Sequence, residues 1–144
     1  MKPEPIRLAA AIAALAFCAS AASAADPPGP VSTPVGVATT TLSGQPITLP
    51  QGPVTVTVTR TDLPAGGVLP IHKHPYPRYA YVISGRLKAV NLDTGLTSEL
   101  KAGEFTVDPI DQWHKAWAMD GKPASLLVID QTPPGQGNMV RKAP

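Results

Sequence analysis

The chain has 144 residues, with 12 lysines and arginines against 10 aspartates and glutamates, a net charge of +2 and a single cysteine. Charges this evenly balanced, with no block of one sign, argue against a surface built for nucleic acid or another polyanion. One cysteine, Cys18, excludes an internal disulfide framework.

The chain opens with Lys2 and Arg7, then the uncharged apolar run "LAAAIAALAFCA" from Leu8 to Ala19, then the small residues of "SAASAAD". That order predicts a secretory signal peptide over 1–24. Cleavage after Ala24 would use Ala22 and Ala24, and cleavage after Ala25 would use Ser23 and Ala25. The apolar run is shorter than the roughly 20 residues of a spanning helix, so no stable membrane anchor is expected. A lipid-modified Cys18 would need a small residue where Phe17 stands. Export to the periplasm or the medium is therefore expected, and cleavage would remove Cys18. Thiolate metal sites and cysteine nucleophiles are then excluded from the remainder.

Residues 25–46 are rich in proline, glycine and threonine and read as an extended arm, whose "VGVATTTL" could pair as an edge strand. At "PVTVTVTR" the pattern becomes strict alternation, with Val54, Val56 and Val58 on one face and Thr55, Thr57 and Thr59 on the other. Period 2 in β-branched residues is a strand signal. Further short strand-like pieces follow: "RYAYVIS", "RLKAVNL", "TSELKAGEFTVD" with a turn at Lys101–Gly103, "WHKAWAM" and "ASLLVIDQ". Gly85, "DTG", "DGKP" and "TPPGQG" punctuate them. No stretch after residue 46 keeps helical periodicity with caps for three turns, so 47–132 is predicted to be one all-β domain, an antiparallel sandwich or barrel. Residues 133–144 read as a loosely held tail.

The chain contains three histidines, His72, His74 and His114. On an extended strand, positions i and i+2 share a face, so His72 and His74 project together. His114 lies on a later strand–turn–strand stretch that a closed barrel can bring beside them. Three imidazoles on one side of a divalent ion leave its other positions open. As ligands they suit Fe, Cu, Zn, Mn or Ni without choosing among them.

"GGVLPIHKHPYPRYAYVISG" followed by "GEFTVDPIDQWHKAWA" resembles the two motifs of the cupin superfamily. Gly66, His72, His74 and Gly85 stand at matching positions of the first, and Gly103, Pro109 and His114 of the second. The resemblance implies a jelly-roll β-barrel with a metal held by His72, His74 and His114. Three departures accompany it. Arg78 stands where the family usually carries a glutamate ligand, Asp111 replaces a glycine and Ala118 an asparagine. Aspartate tolerates turn conformations, so Asp111 is a mild change. Arg78 is more serious, because a guanidinium cannot ligate and a divalent ion would repel it. Either Arg78 turns away from the ion towards solvent or an acidic partner, or it stays inside and binds a substrate anion.

With Arg78 inward, Ala80 and Val82 share its face, while Tyr79, Tyr81 and Ile83 face outward. There they would meet either the N-terminal arm or a second copy, since cupins commonly pair through outer sheets. Trp113 and Trp117 are expected opposite His114, as packing residues. Glu104 and Asp108 share a strand face of undetermined direction. Two function classes remain. The first is a metal-dependent enzyme, a dioxygenase in the manner of three-histidine cupins, acting on a small anionic or chelating substrate oriented by Arg78. The second is a non-catalytic metal- or small-ligand-binding module.

Overall fold

The computed structural model describes residues 29–143. The predicted leader, Cys18, both candidate cleavage sites and the first residues of the arm lie outside the described residues. The chain divides into two units, residues 1–32 and 33–144. Of the first, only Gly29–Ser32 is described, without regular structure.

The second unit contains nine strands and no helix among the described residues: β1 (Thr55–Leu63), β2 (Val68–Lys73), β3 (Arg78–Ser84), β4 (Arg86–Asn91), β5 (Thr97–Lys101), β6 (Phe105–Val107), β7 (His114–Ala118), β8 (Ala124–Thr132) and β9 (Val140–Arg141). They form a four-stranded sheet in the order β1-β8-β3-β6 and a five-stranded sheet in the order β5-β4-β7-β2-β9. All named strand pairs are antiparallel. This is the antiparallel jelly roll that the sequence predicts.

Alternation along the strands decides what lies between the sheets. Ala80 and Val82 of β3 and Leu126 and Val128 of β8 come from one sheet, and Leu87 of β4 and Ala118 of β7 from the other. Tyr79 and Tyr81 point the other way, as expected. Tyr79 stacks on Phe105, with ring centroids 6.4 Å apart, and Ile83 is exposed. The arm packs beside this face, with Gly36 against Phe105 so closely that a side chain there would meet the ring. The arm forms no edge strand, however. It touches β6 through one backbone bond, Leu42 N to Val107 O at 2.9 Å, and the loop beyond β6 through Gln45, which bonds both backbone groups of Ile110. The rest of "VGVATTTL" is mostly exposed, too little buried to order a strand.

β1 is the edge of its sheet, and its register with β8 puts Thr57, Thr59 and Thr61 on the inner face with Asp130, Val128 and Leu126. Val56 and Val58 therefore lie on the outer face, both exposed.

Two turns show why particular residues stand where they do. Gly85 joins β3 to β4 with φ of 78°, and a Cβ there would come within 2.3 Å of the Pro123 carbonyl oxygen. Only glycine fits. Asp111 has φ of 53°, so it takes the left-handed conformation that its motif ordinarily assigns to glycine.

The C-terminal segment is not loose. β9 pairs with β2, His72 with Arg141 and Lys73 with Val140. Asn138 is buried, with 6% of its surface exposed. The proline–glycine turn that signals a chain end in the sequence instead redirects the chain back onto the second sheet.

Candidate metal centre

β2 carries one residue more than β7 over their pairing. Leu69 faces Ala116, yet His72 faces His114, a shift that places a bulge at Pro70–Ile71. Without it, period-2 alternation would put His72 on the opposite face from Leu69. The bulge turns His72 inward beside its cross-strand neighbour His114, and His74 follows two residues on. Pro70 has no N–H to lose from the ladder. Its carbonyl accepts from His72 Nδ1 at 2.6 Å.

Each of the other rings is held in the same manner. His114 Nδ1 donates to the Gln112 carbonyl at 2.9 Å, and His74 Nδ1 to the Asn138 carbonyl at 2.5 Å. A carbonyl oxygen only accepts, so in each ring Nδ1 carries the hydrogen and Nε2 keeps its lone pair. The ring centroids lie 4.4 to 5.0 Å apart, and the three donor atoms lie within 4.8 Å of one another. The Nε2 atoms of His74 and His114 are buried with no hydrogen-bond partner among the described residues. Buried polar atoms are rarely left unsatisfied. Three converging lone pairs, two of them orphaned, fit a divalent cation and fit nothing apolar.

Electrostatics agree. Burial holds all three imidazoles below their ordinary pKa, His74 furthest, pushed down to about 2 with the Arg78 charge adding to its desolvation. At neutral pH they are uncharged, the state a metal ligand needs.

The site lies in a cavity of about 100 Å³ between the sheets. His72, His114, Arg78 and Asp108 form its polar end, and Leu69, Leu87, Leu100, Ala80 and Val128 line the rest. Arg78 points inward, but its fork is engaged. Nε and Nη2 donate to the two oxygens of Asp130 at 2.9 and 2.7 Å. It lines the cavity and at the same time binds an acidic partner within the fold. Asn138 Nδ2 donates to the same Asp130 at 2.6 Å, while its Oδ1 accepts from Tyr76 N at 2.9 Å. One residue of the C-terminal segment therefore braces both the arginine pair and His74.

Asp108 lies beside Arg78 on the other side, its backbone N–H bonded to the Arg78 carbonyl at 2.9 Å. Its carboxylate accepts no hydrogen bond from the described residues. His74 Nε2 lies 3.6 Å from its Oδ2, and 20% of the side chain is exposed. Burial pushes its pKa up to about 6 against the attraction of Arg78 and His72. Glu104, paired with Asp108 in the sequence reading, sits elsewhere, capping the β5–β6 turn through Lys101 N at 2.9 Å. Trp113 and Trp117 line no part of the cavity and face lysines instead, Lys73 and Lys142 over one ring and Lys115 over the other.

Sequence reasoning missed Asp130 and Asn138. Asp130 had a signal: it stands in register with inward Leu126 and Val128 on β8, a poor place for an unpaired charge. Asn138 had none, because its role depends on where the chain returns after Pro133–Pro134.

The Cupin_2 family, described as the cupin domain, matches residues 59–130. The chain belongs to this family. No curated protein matches it. Among solved structures, oxalate oxidase in complex with glycolate is 27% identical with a TM-score of 0.51, over 60% of this chain and 45% of that one. Lactobacillus farciminis oxalate decarboxylase, as a formate complex, is 23% identical with a TM-score of 0.52, over 60% of this chain and 26% of that one. A protein from Klebsiella pneumoniae with a double-stranded β-helix domain is 22% identical with a TM-score of 0.50, over 62% and 77%. The last two share the fold alone. This chain spans less than half the length of the oxalate oxidase. The three-histidine cluster and these neighbours support a metal-binding cupin.

Proposed function

We propose that this cupin is an exported, metal-dependent oxidase or dioxygenase of a small, oxygen-chelating anion. The observation that carries this reading is the convergence of three Nδ1-anchored imidazoles, two of them with orphaned Nε2 atoms, on one end of a small cavity. His72, His74 and His114 would hold the ion, which when bound supplies a Lewis-acid and redox centre with open positions. The cavity volume is below the roughly 150 Å³ that accommodates a benzene ring, so the substrate is a few heavy atoms in size. Leu69, Leu87 and Leu100 exclude water from its inner end and strengthen charge interactions there. The Arg78 fork is committed to Asp130, which leaves Nη1 outside the pair to meet a ligand oxygen. The glycolate held by the oxalate oxidase neighbour supports a two-carbon hydroxy or dicarboxylate anion. The basic–apolar–small order of residues 1–24 supports export.

Oxygen uptake tests the reading. Protein loaded in turn with Mn, Fe, Cu, Ni and Zn is presented with glycolate and oxalate in an oxygen electrode. Uptake that needs both metal and anion, and disappears in His114→Ala, is the expected result. Metal and anion binding without uptake would support the non-catalytic module, which the Asp130-occupied fork of Arg78 favours.

A further inference from the structure

The three imidazoles do not account for Asp108. Its backbone is fixed beside Arg78 by the Asp108 N to Arg78 O bond, and its side chain projects into the cavity with His72 and His114. The guanidinium next to it is held by Asp130 through two hydrogen bonds. No donor among the described residues replaces it.

What Asp108 faces is a second acceptor. His74 Nδ1 gives its hydrogen to the Asn138 carbonyl, so Nε2 presents a lone pair. A carboxylate oxygen and an imidazole lone pair 3.6 Å apart, with no hydrogen between them, repel each other, and a cation between them turns that repulsion into attraction. Two donors each about 2.0–2.2 Å from one ion stand roughly 3.4 Å apart at the tetrahedral angle. The observed separation from His74 Nε2 is close to that. The ring nitrogens of His72 and His114 stand more than 4.0 Å from the carboxylate, so a turn of the Asp108 side chain towards them would complete the set.

We infer that Asp108 is a fourth protein ligand, its Oδ2 joining His72, His74 and His114 on one divalent ion. The inference rests on the metal-binding reading above and adds an anionic donor to its three neutral ones. It also sets the charge of the site. Arg78 and Asp130 cancel, so the ion and Asp108 together leave a single positive charge facing the cavity. One such charge suits a monoanion, or one chelating carboxylate of a dianion.

Metal affinity and a ligand-field spectrum test it on the intact protein. Wild type, Asp108→Asn and Asp108→Glu are titrated with Co(II) against a chromophoric chelator, and their visible absorption is recorded. Asp108→Asn should bind Co(II) at least about thirtyfold more weakly, with displaced visible bands. Asp108→Glu, which keeps a carboxylate, should recover part of the affinity, and it decides the matter if the asparagine variant does not fold. The metal-free asparagine variant should melt no lower than wild type, because it removes a buried charge without a donor. Unchanged affinity and bands in both variants would overturn the ligand role while leaving the three-histidine centre standing. Weakened binding with unchanged bands would overturn it too, because charge at a distance would then explain the loss. A folded wild type that takes up no Co(II) would sink the metal reading and this inference together.

Discussion

Arg78 stands between two aspartates. On one side β8 places Asp130 directly across from it, and on the other the chain leaving β6 places Asp108 beside it. Both side chains reach the interior, and both are within the field of the same guanidinium. Their fates differ because a guanidinium has one fork. Asp130 takes it and receives Asn138 as a further donor, so its charge is neutralised inside the protein. Asp108 receives neither and faces the lone pair of His74. A satisfied buried carboxylate holds the fold together, whereas an unsatisfied one holds a place for something the fold does not contain.

The contrast can be broken most forcefully at Asp130. Asp130→Ala leaves Arg78 and the Asn138 amide without their acceptor, and breaking such a buried pair costs about 3–5 kcal/mol. Urea unfolding of the metal-free protein should show a loss of that size. Asp108→Asn should show none. Comparable losses at the two positions would mean that both aspartates are structural.

The next effect is the stabilisation that metal confers. An ion at a hundred times its dissociation constant should raise wild-type stability by about 2.7 kcal/mol, because it binds the folded chain alone. His114→Ala should gain far less from the same concentration. Thermal melts with and without metal make the measurement. Equal gains would place the ion outside the three-histidine cluster.

Asn138 links the two regions, so its replacement should touch both, more gently. Asn138→Ala keeps the carbonyl that anchors His74 but removes the side-chain bonds to Asp130 and Tyr76. A stability loss of about 1–3 kcal/mol is expected from the unsatisfied partners. A fall in metal affinity of roughly tenfold should accompany it, as for other groups that orient a ligand. A stability loss with unchanged affinity would show that the carbonyl keeps its position without the side chain.

The sequence disclosed these elements unequally. Strands β1, β3, β4, β5, β6, β7 and β8 were legible from alternation and turn residues, since both are local properties. So were His72, His74 and His114, because a two-residue spacing and a motif order survive without coordinates. The bulge at Pro70–Ile71 was not. Spacing alone shows that His72 and His74 share a face, but not that the extra residue aims that face inward with Leu69. Arg78 was visible as a departure, while its partner was not, because cross-strand pairing joins positions 52 residues apart. Asp108 was noticed, but its direction follows only from its bond to the residue 78 backbone. The C-terminal segment misled because proline and glycine signal a turn and say nothing of where the turn sends the chain.

The smallest effect is a difference between two pH profiles of the metal-free protein, and its sign follows from the same contrast. The imidazoles titrate below their unfolded value of about 6.5, so the folded chain binds fewer protons than the unfolded one. Their contribution is full above that pH and is lost as the pH falls, over a range that for His74 extends towards 2. Asp108 works the other way. Its folded value of about 6 lies above the model value of 3.8, so burial of its charge costs stability above pH 6. That cost is relieved as the pH drops from 6 towards 3.8. Between those limits the two trends oppose each other, and the wild-type profile is flattened. Asp108→Asn removes the relief. The variant should start more stable than wild type at pH 7 and lose stability more steeply through pH 6 to 4, until the two profiles meet. Urea unfolding in the presence of a chelator, at half-unit pH steps, gives both curves. A difference that stays constant with pH would mean that Asp108 carries no buried charge to relieve, and the distinction from Asp130 would fall.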